Sequence, residues 1–203
     1  MLKSFFQCGL AQIRGFLKDR KGSVLAEFGM LMPVLTLLFL SGVEVGRFAL
    51  LQQKLSRTAV SLSDLIAQTD GTISLTQVAN LYESVSYVLR PFDLTTDGVV
   101  IVSSVSQTGG TPTVDWQCIG AGALPVVSQL GTAGATASLP AGFTMLDGQS
   151  VIIAEVAYNY APFVTPDLIG NTLLRHHAMF RPRFGSLKSL LPGPVSAGAP
   201  TCT

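Results

Sequence analysis

Two carboxylates, Glu27 and Glu44, bracket the uncharged stretch FGMLMPVLTLLFLSGV, which is apolar enough to cross a bilayer. Glu27 sits only a turn inside the apolar segment that follows Lys21, and a carboxylate at that depth costs roughly 2.5–3.5 kcal/mol unless it is neutralised or paired. Protonation, snorkelling toward the headgroups and pairing with a cation supplied from elsewhere are all open to it. Glu44 and Arg47 lie three apart, so on a helix they share a face and form a candidate ion pair at the membrane exit, with contact to a partner chain as the alternative. His176 and His177 are adjacent, and neighbours on a strand point to opposite faces, so the pair does not make a metal site. Cys118 and Cys202 fit no metal-ligand spacing; outside the cytoplasm they become a candidate disulfide, and otherwise two separate thiols.

Catalysis finds no footing in this pattern. Asp64, Asp70, Asp93, Asp97, Asp115, Asp147 and Asp167 are scattered singly, with no Ser/His/Asp or paired-carboxylate arrangement. The stretches GGTPT and GTAGATAS lack the lysine and the strand-to-helix setting of a phosphate loop. The expectation is a chain that is not an enzyme and uses no cofactor and no metal.

The elements that must position these residues follow from periodicity. Residues 1–22 place Leu2, Phe5, Phe6, Leu10, Ile13 and Leu17 three and four apart among Lys3, Arg14, Lys18, Arg20 and Lys21, a basic amphipathic segment suited to an anionic membrane surface. A helix over 23–69 comes next. Its inner half is the apolar span, and its outer half keeps a helical period through Phe48, Leu51, Leu55, Leu62 and Ile66. At 1.5 Å per residue it would be about 70 Å long, more than twice a hydrocarbon core, so it needs a protein neighbour beyond the lipid. Pro33 removes a backbone hydrogen bond within the span, which membrane helices tolerate when neighbours re-satisfy the freed carbonyl.

After TDGT, Leu75, Val78, Leu81, Tyr82, Val85 and Val88 or Leu89 mark a second helix of about four turns, ended by Arg90 before Pro91. GVVIVSSVSQTGGTPTVDWQC is β-branched with a Gly-Gly punctuation and reads as a hairpin. Residues 119–149 read as a long loop that could hold a short helix. QSVIIAEVAYNYAPF reads as a strand with one apolar and one mixed face, and LLRHHAMFRPRFG as a further strand. The tail LPGPVSAGAPTCT is too rich in Pro, Gly and Ala for regular structure unless Cys202 ties it down.

Composition agrees with an anchored domain. Of 203 residues 48% are hydrophobic and 12% charged, against roughly 25% charged for an average soluble domain, and the mean hydropathy is +0.47. Net charge is only +1, and its basic residues form no stripe interleaved with aromatics, so nucleic acid is not an expected partner. Lys and Arg are denser before the apolar span than after it, which predicts a cytoplasmic amino end and an exported bulk. A cleaved secretory signal is the competing reading, but SGVEVGRFA offers no convincing small-residue cleavage site.

The stretch Gly22-Ser23-Val24-Leu25-Ala26-Glu27-Phe28 resembles the prepilin-peptidase site of type IV pilin-like proteins, and its Glu-aromatic pair is similar to that of the Flp and tight-adherence (Tad) class. The wider EFGMLMPVLTLLFLSGVEVGRFALLQQKLSRTA, with Pro33 and Glu44-x-Gly46-Arg47, resembles the TadE/TadG-like minor pseudopilins, and VIIAEVAYNYAPF with AMFRPR is similar to their ectodomain. The resemblance implies an α+β fold: a long amino-terminal transmembrane and amphipathic helix followed by a small pilin-like periplasmic domain with an antiparallel sheet. It implies three parts, a cleaved cytoplasmic leader over 1–22, the helix over 23–69 and the periplasmic domain over 70–203. Cleavage would fall between Gly22 and Ser23, and Glu27 and Phe28 would serve subunit assembly, the carboxylate meeting the new terminal amine of a neighbour. The implied partners are the prepilin peptidase, other minor pseudopilins, the major Flp-type pilin and the inner-membrane pilus platform. The implied role is structural, priming or supporting assembly of an adhesion pilus. An uncleaved single-pass binding module and a pilus-tip adhesin are the alternatives.

Overall fold

A computed structural model describes residues 21–164, 170–194 and 199–203. The expected leader lies outside these residues up to position 20. The chain divides into two compact units, the first ending at Gly46 and the second running Arg47–Thr203. The described part of the first is helical throughout and belongs to α1 (Lys21–Ala67), which runs through Pro33.

In the second unit, α1 contributes Leu51, Leu55, Ala59, Leu62 and Ile66, spaced four, four, three and four apart and all buried. That spacing draws one apolar stripe along a helix. Then come β1 (Ile73–Ser74), α2 (Leu75–Leu89), α3 (Leu94–Asp97), β2 (Gly98–Thr108), β3 (Thr111–Gly120), β4 (Ser150–Tyr160), β5 (Thr172–Phe180), β6 (Leu190–Leu191) and β7 (Thr201–Cys202). The main sheet has the order β5-β4-β2-β3-β7 and is antiparallel at every pairing. β1 and β6 make a separate two-residue parallel pair. An α+β architecture with an antiparallel sheet, as the sequence leads one to expect, is what the chain adopts.

Local chemistry sets the boundaries. Ser74 caps α2: its hydroxyl accepts from the Gln77 amide while the Gln77 side chain accepts from the Ser74 amide, satisfying two of the donors a helix start leaves orphaned. At the other end Arg90 is extended (φ −49°, ψ 137°), as a residue preceding proline must be. Asp93 caps the one-turn α3 through its acceptor to the Thr95 amide, 2.9 Å. Thr95 and Thr96 hold the Asp93 carboxyl below its ordinary value. Gly109 and Gly110, at φ +64° and +81°, turn β2 into β3; positive φ at both central residues is the hairpin geometry that matches strand twist, and only glycine adopts it without strain.

β2 is central and buried along nearly its whole length. One sheet face carries Val100, Val102, Trp116, Ile152, Val156 and Tyr158 into a core shared with the α1 stripe and with Val78, Tyr82, Val85 and Leu89 of α2. Tyr82 reaches through that core to donate to the carbonyl of Cys118, 2.7 Å. On the opposite face, residues 121–149 form an irregular cover with no helix. Leu130, Ala137 and Met145 pack on Val105, Val114, Val151 and Ile153, while Leu124 and Val126 pack on Val99, Ile101 and Ala157. The face of β4 that reads as mixed is therefore buried too. Glu155 on that face accepts from the hydroxyl of Ser128 and the amide of Gln129.

Candidate functional site

The surface of the first unit is the feature with functional content. Between Val24 and Gly46 nearly every side chain of α1 is exposed, including Leu25 (79%), Phe28 (57%), Met30 (82%), Leu38 (66%) and Phe39 (71%). These positions point in every direction around the helix axis. A helix apolar all round is stable only when something apolar surrounds it, and among the described residues nothing covers this part of α1. α1 is long and apolar enough to cross a membrane.

Glu27 and Glu44 are seventeen residues apart, about 25 Å along a helix, while a hydrocarbon core is about 30 Å thick. Were α1 to span a membrane, at least one of the two carboxylates would meet the margin of the hydrocarbon or enter it. Glu27 is exposed on α1 and Glu44 half-buried. Gly22 and Ser23 stand in the first described turn of α1, five and four residues before Glu27. That brings Gly22, Ser23, Glu27 and Phe28 onto one short helical segment.

The remaining residues singled out by type are dispersed. Arg47 places its guanidinium 5.6 Å from the ring centroid of Phe163, a cation–π contact that shields one face of the ring. Cys118 and Cys202 are joined by a disulfide, lie opposite each other in the β3–β7 register, and hold the carboxyl-terminal residues to the sheet. Thr203 extends that pairing through reciprocal 2.9 Å hydrogen bonds with Gln117. His176 faces α1 and hydrogen-bonds Gln52; His177, on the other face, stands in register with Glu155. Partial burial, with the neighbouring His177 as a lesser cause, pushes the His176 pKa down. Among the described residues no group of three or more His, Cys, Asp or Glu is placed to hold a metal ion.

Sequence reasoning missed several positioning residues. Ser74 and Gln77 carry the Ser-x-x-Gln signature of a capping box, which was there to be read. Trp116 Nε1 and Ser104 Oγ both donate to the carbonyl of Leu187, at 2.8 and 2.7 Å, and fasten the segment after β5 to the sheet. Nothing in local sequence announces that bond.

A helix with an exposed apolar amino-terminal half, long and apolar enough to cross a membrane, continues into an α+β domain closed by a disulfide. Residues 22–60 match the family model of TadE-like proteins, so the chain carries a TadE-like domain, in agreement with a TadE/TadG-like protein of the Tad pilus. The match begins at Gly22 and takes in Glu27, Phe28, Glu44 and Arg47. No curated protein matches the chain significantly, and neither does any solved structure.

Proposed function

We propose that the chain is a minor pseudopilin, anchored in the inner membrane with its sheet domain in the periplasm, that primes or supports assembly of a Tad/Flp adhesion pilus. The observation that carries this reading is the coincidence of the TadE-like match with the all-round apolar surface of α1 and the acid near its start. In this account the prepilin peptidase cuts between Gly22 and Ser23, removing the basic leader and leaving an α-amine whose ordinary pKa is about 7.7–8.0. A second subunit's Glu27 meets that ammonium. Burying an acid beside a cation is far less unfavourable than burying it alone, so the pair fixes register as well as contact. Phe28 packs beside it against the neighbouring helix.

An exported sheet domain suits the Cys118–Cys202 disulfide, which persists in oxidising compartments and is rare in the cytosol. The partners are the peptidase, other minor pseudopilins, the major Flp-type pilin and the inner-membrane platform; the role is structural rather than catalytic. Glu27→Ala tests it. Processing should continue, because the cut is made before subunits meet, while recovery of the protein with sheared pili should fall to background. Recovery at the level of the unaltered protein would defeat the pairing role.

A further inference from the structure

The two edges of the main sheet are treated differently. The outer side of β3 is covered along its length: Pro112 and Val114 bond residues 134–137 of the covering loop, and Gln117 to Ile119 pair with 201–203. β5 is the terminal strand on the other side and pairs only with β4. Among the described residues nothing pairs with its outer edge, so nine residues, Thr172–Phe180, leave about every second amide and carbonyl directed away from the sheet.

That edge is cationic. Residues 170–183, GNTLLRHHAMFRPR, contain Arg175, Arg181, Arg183 and two histidines but no acid. Arg183 is neutralised by Asp64, 2.9 Å away, whereas Arg175, His177 and Arg181 are exposed. Glu155, the acid in register with His177, accepts from Ser128 and Gln129, and its single negative charge stands against the two exposed guanidiniums of Arg175 and Arg181. The guanidinium of Arg175 donates to the carbonyl of Val127, at 3.2 Å, and makes no ion pair among the described residues.

Like charges directly opposite each other destabilise a strand pair. Two β5 strands meeting antiparallel in a register centred on Arg175 would set that guanidinium of one copy against the same group of the other. The same charges favour an incoming strand that carries carboxylates. We propose that the outer edge of β5 docks an extended acidic segment of another protein, which adds as a sixth strand. Main-chain bonds to β5 supply affinity, and alternate carboxylates reaching Arg175, His177 and Arg181 supply selection. The inference needs only the sheet and its open edge, and it stands whether or not the chain is processed or built into a pilus.

The test is hydrogen exchange read by mass spectrometry on the full chain in nonionic detergent micelles. The probes are a short peptide alternating Glu with Val and a counterpart alternating Lys with Val. The acidic peptide should slow exchange across 172–180 while β2, already protected, does not change; the lysine peptide should have no effect. Arg175→Glu with His177→Glu should weaken the acidic peptide by about tenfold or more, with unchanged β2 exchange showing that the sheet is intact. Arg181→Glu serves the same purpose should the double variant fail to fold. Protection by both peptides alike, or by neither, overturns the proposal. So does β5 protection that grows with protein concentration alone, which would mean a second copy, or that appears with phosphatidylglycerol vesicles and not with the peptide, which would mean lipid.

Discussion

At the scale of single residues, Glu27 stands out because a carboxylate carried into hydrocarbon has a local cost that an apolar residue does not. Leu, Phe or Met at that position would insert more easily, and the separation of Glu27 from Glu44 is shorter than the hydrocarbon is thick. Such a position is legible in sequence alone, since charge against an apolar background needs no tertiary knowledge. His176 is a contrasting case. Its place in a strand could be read from LLRHHAMF, but the Gln52 amide it meets lies on α1, 124 positions away, and no local pattern reveals that. Burial lowers the pKa of His176 below its ordinary 6.5, so the unfolded chain binds the proton more tightly than the folded one. Stability from this site is complete above about pH 6.5 and declines as pH falls toward and through the folded value. Thermal unfolding followed from pH 7.5 to 5 should show a falling midpoint, and His176→Gln should flatten that slope. An equal slope in the variant would place the dependence elsewhere.

At the scale of elements, the readable parts are those whose signals are local. α2 is announced by its apolar period and closed by Arg90-Pro91; the β2–β3 hairpin is announced by Gly109-Gly110 between β-branched runs. Residues 121–149 are the opposite. Their backbone follows no period, yet Leu130, Ala137 and Met145 bury the face of β4 that Glu155 and Asn159 make look half-solvated. Glu155 is tolerated there because Ser128 and Gln129 bond it. Gly122 shows how close the cover lies, since a Cβ there would run into the carbonyl oxygens of Leu94 and Gly98. The tail depends on its covalent tie: β7 has two residues and Cys202 closes a separation of 84. Linking residues so distant restricts the unfolded chain, so Cys202→Ser should lower the unfolding free energy by about 2–5 kcal/mol. A denaturant titration of the sheet domain reads this directly. An unchanged midpoint would show that the hydrogen bonds of Gln117 with Thr203 hold the carboxyl end without the disulfide.

At the scale of the whole molecule, the two compact units divide the work. The sheet unit has its own core on both faces of the sheet. The described part of the first unit is a helix that exposes Leu25, Phe28, Met30, Leu38 and Phe39 at once and so requires an apolar environment that the described residues do not supply. In the proposed function, lipid meets that requirement before assembly and the helices of other subunits meet it afterwards. The TadE-like match over 22–60 falls on this helix and the start of its buried stripe. The central claim is that proteolysis after Gly22 makes the amine that Glu27 meets in a neighbouring subunit. Mass spectrometry of the amino-terminal peptide of protein purified from its native membrane tests this most directly. The account predicts a chain beginning at Ser23; a chain that retains Lys21, Gly22 and the residues before them would contradict it.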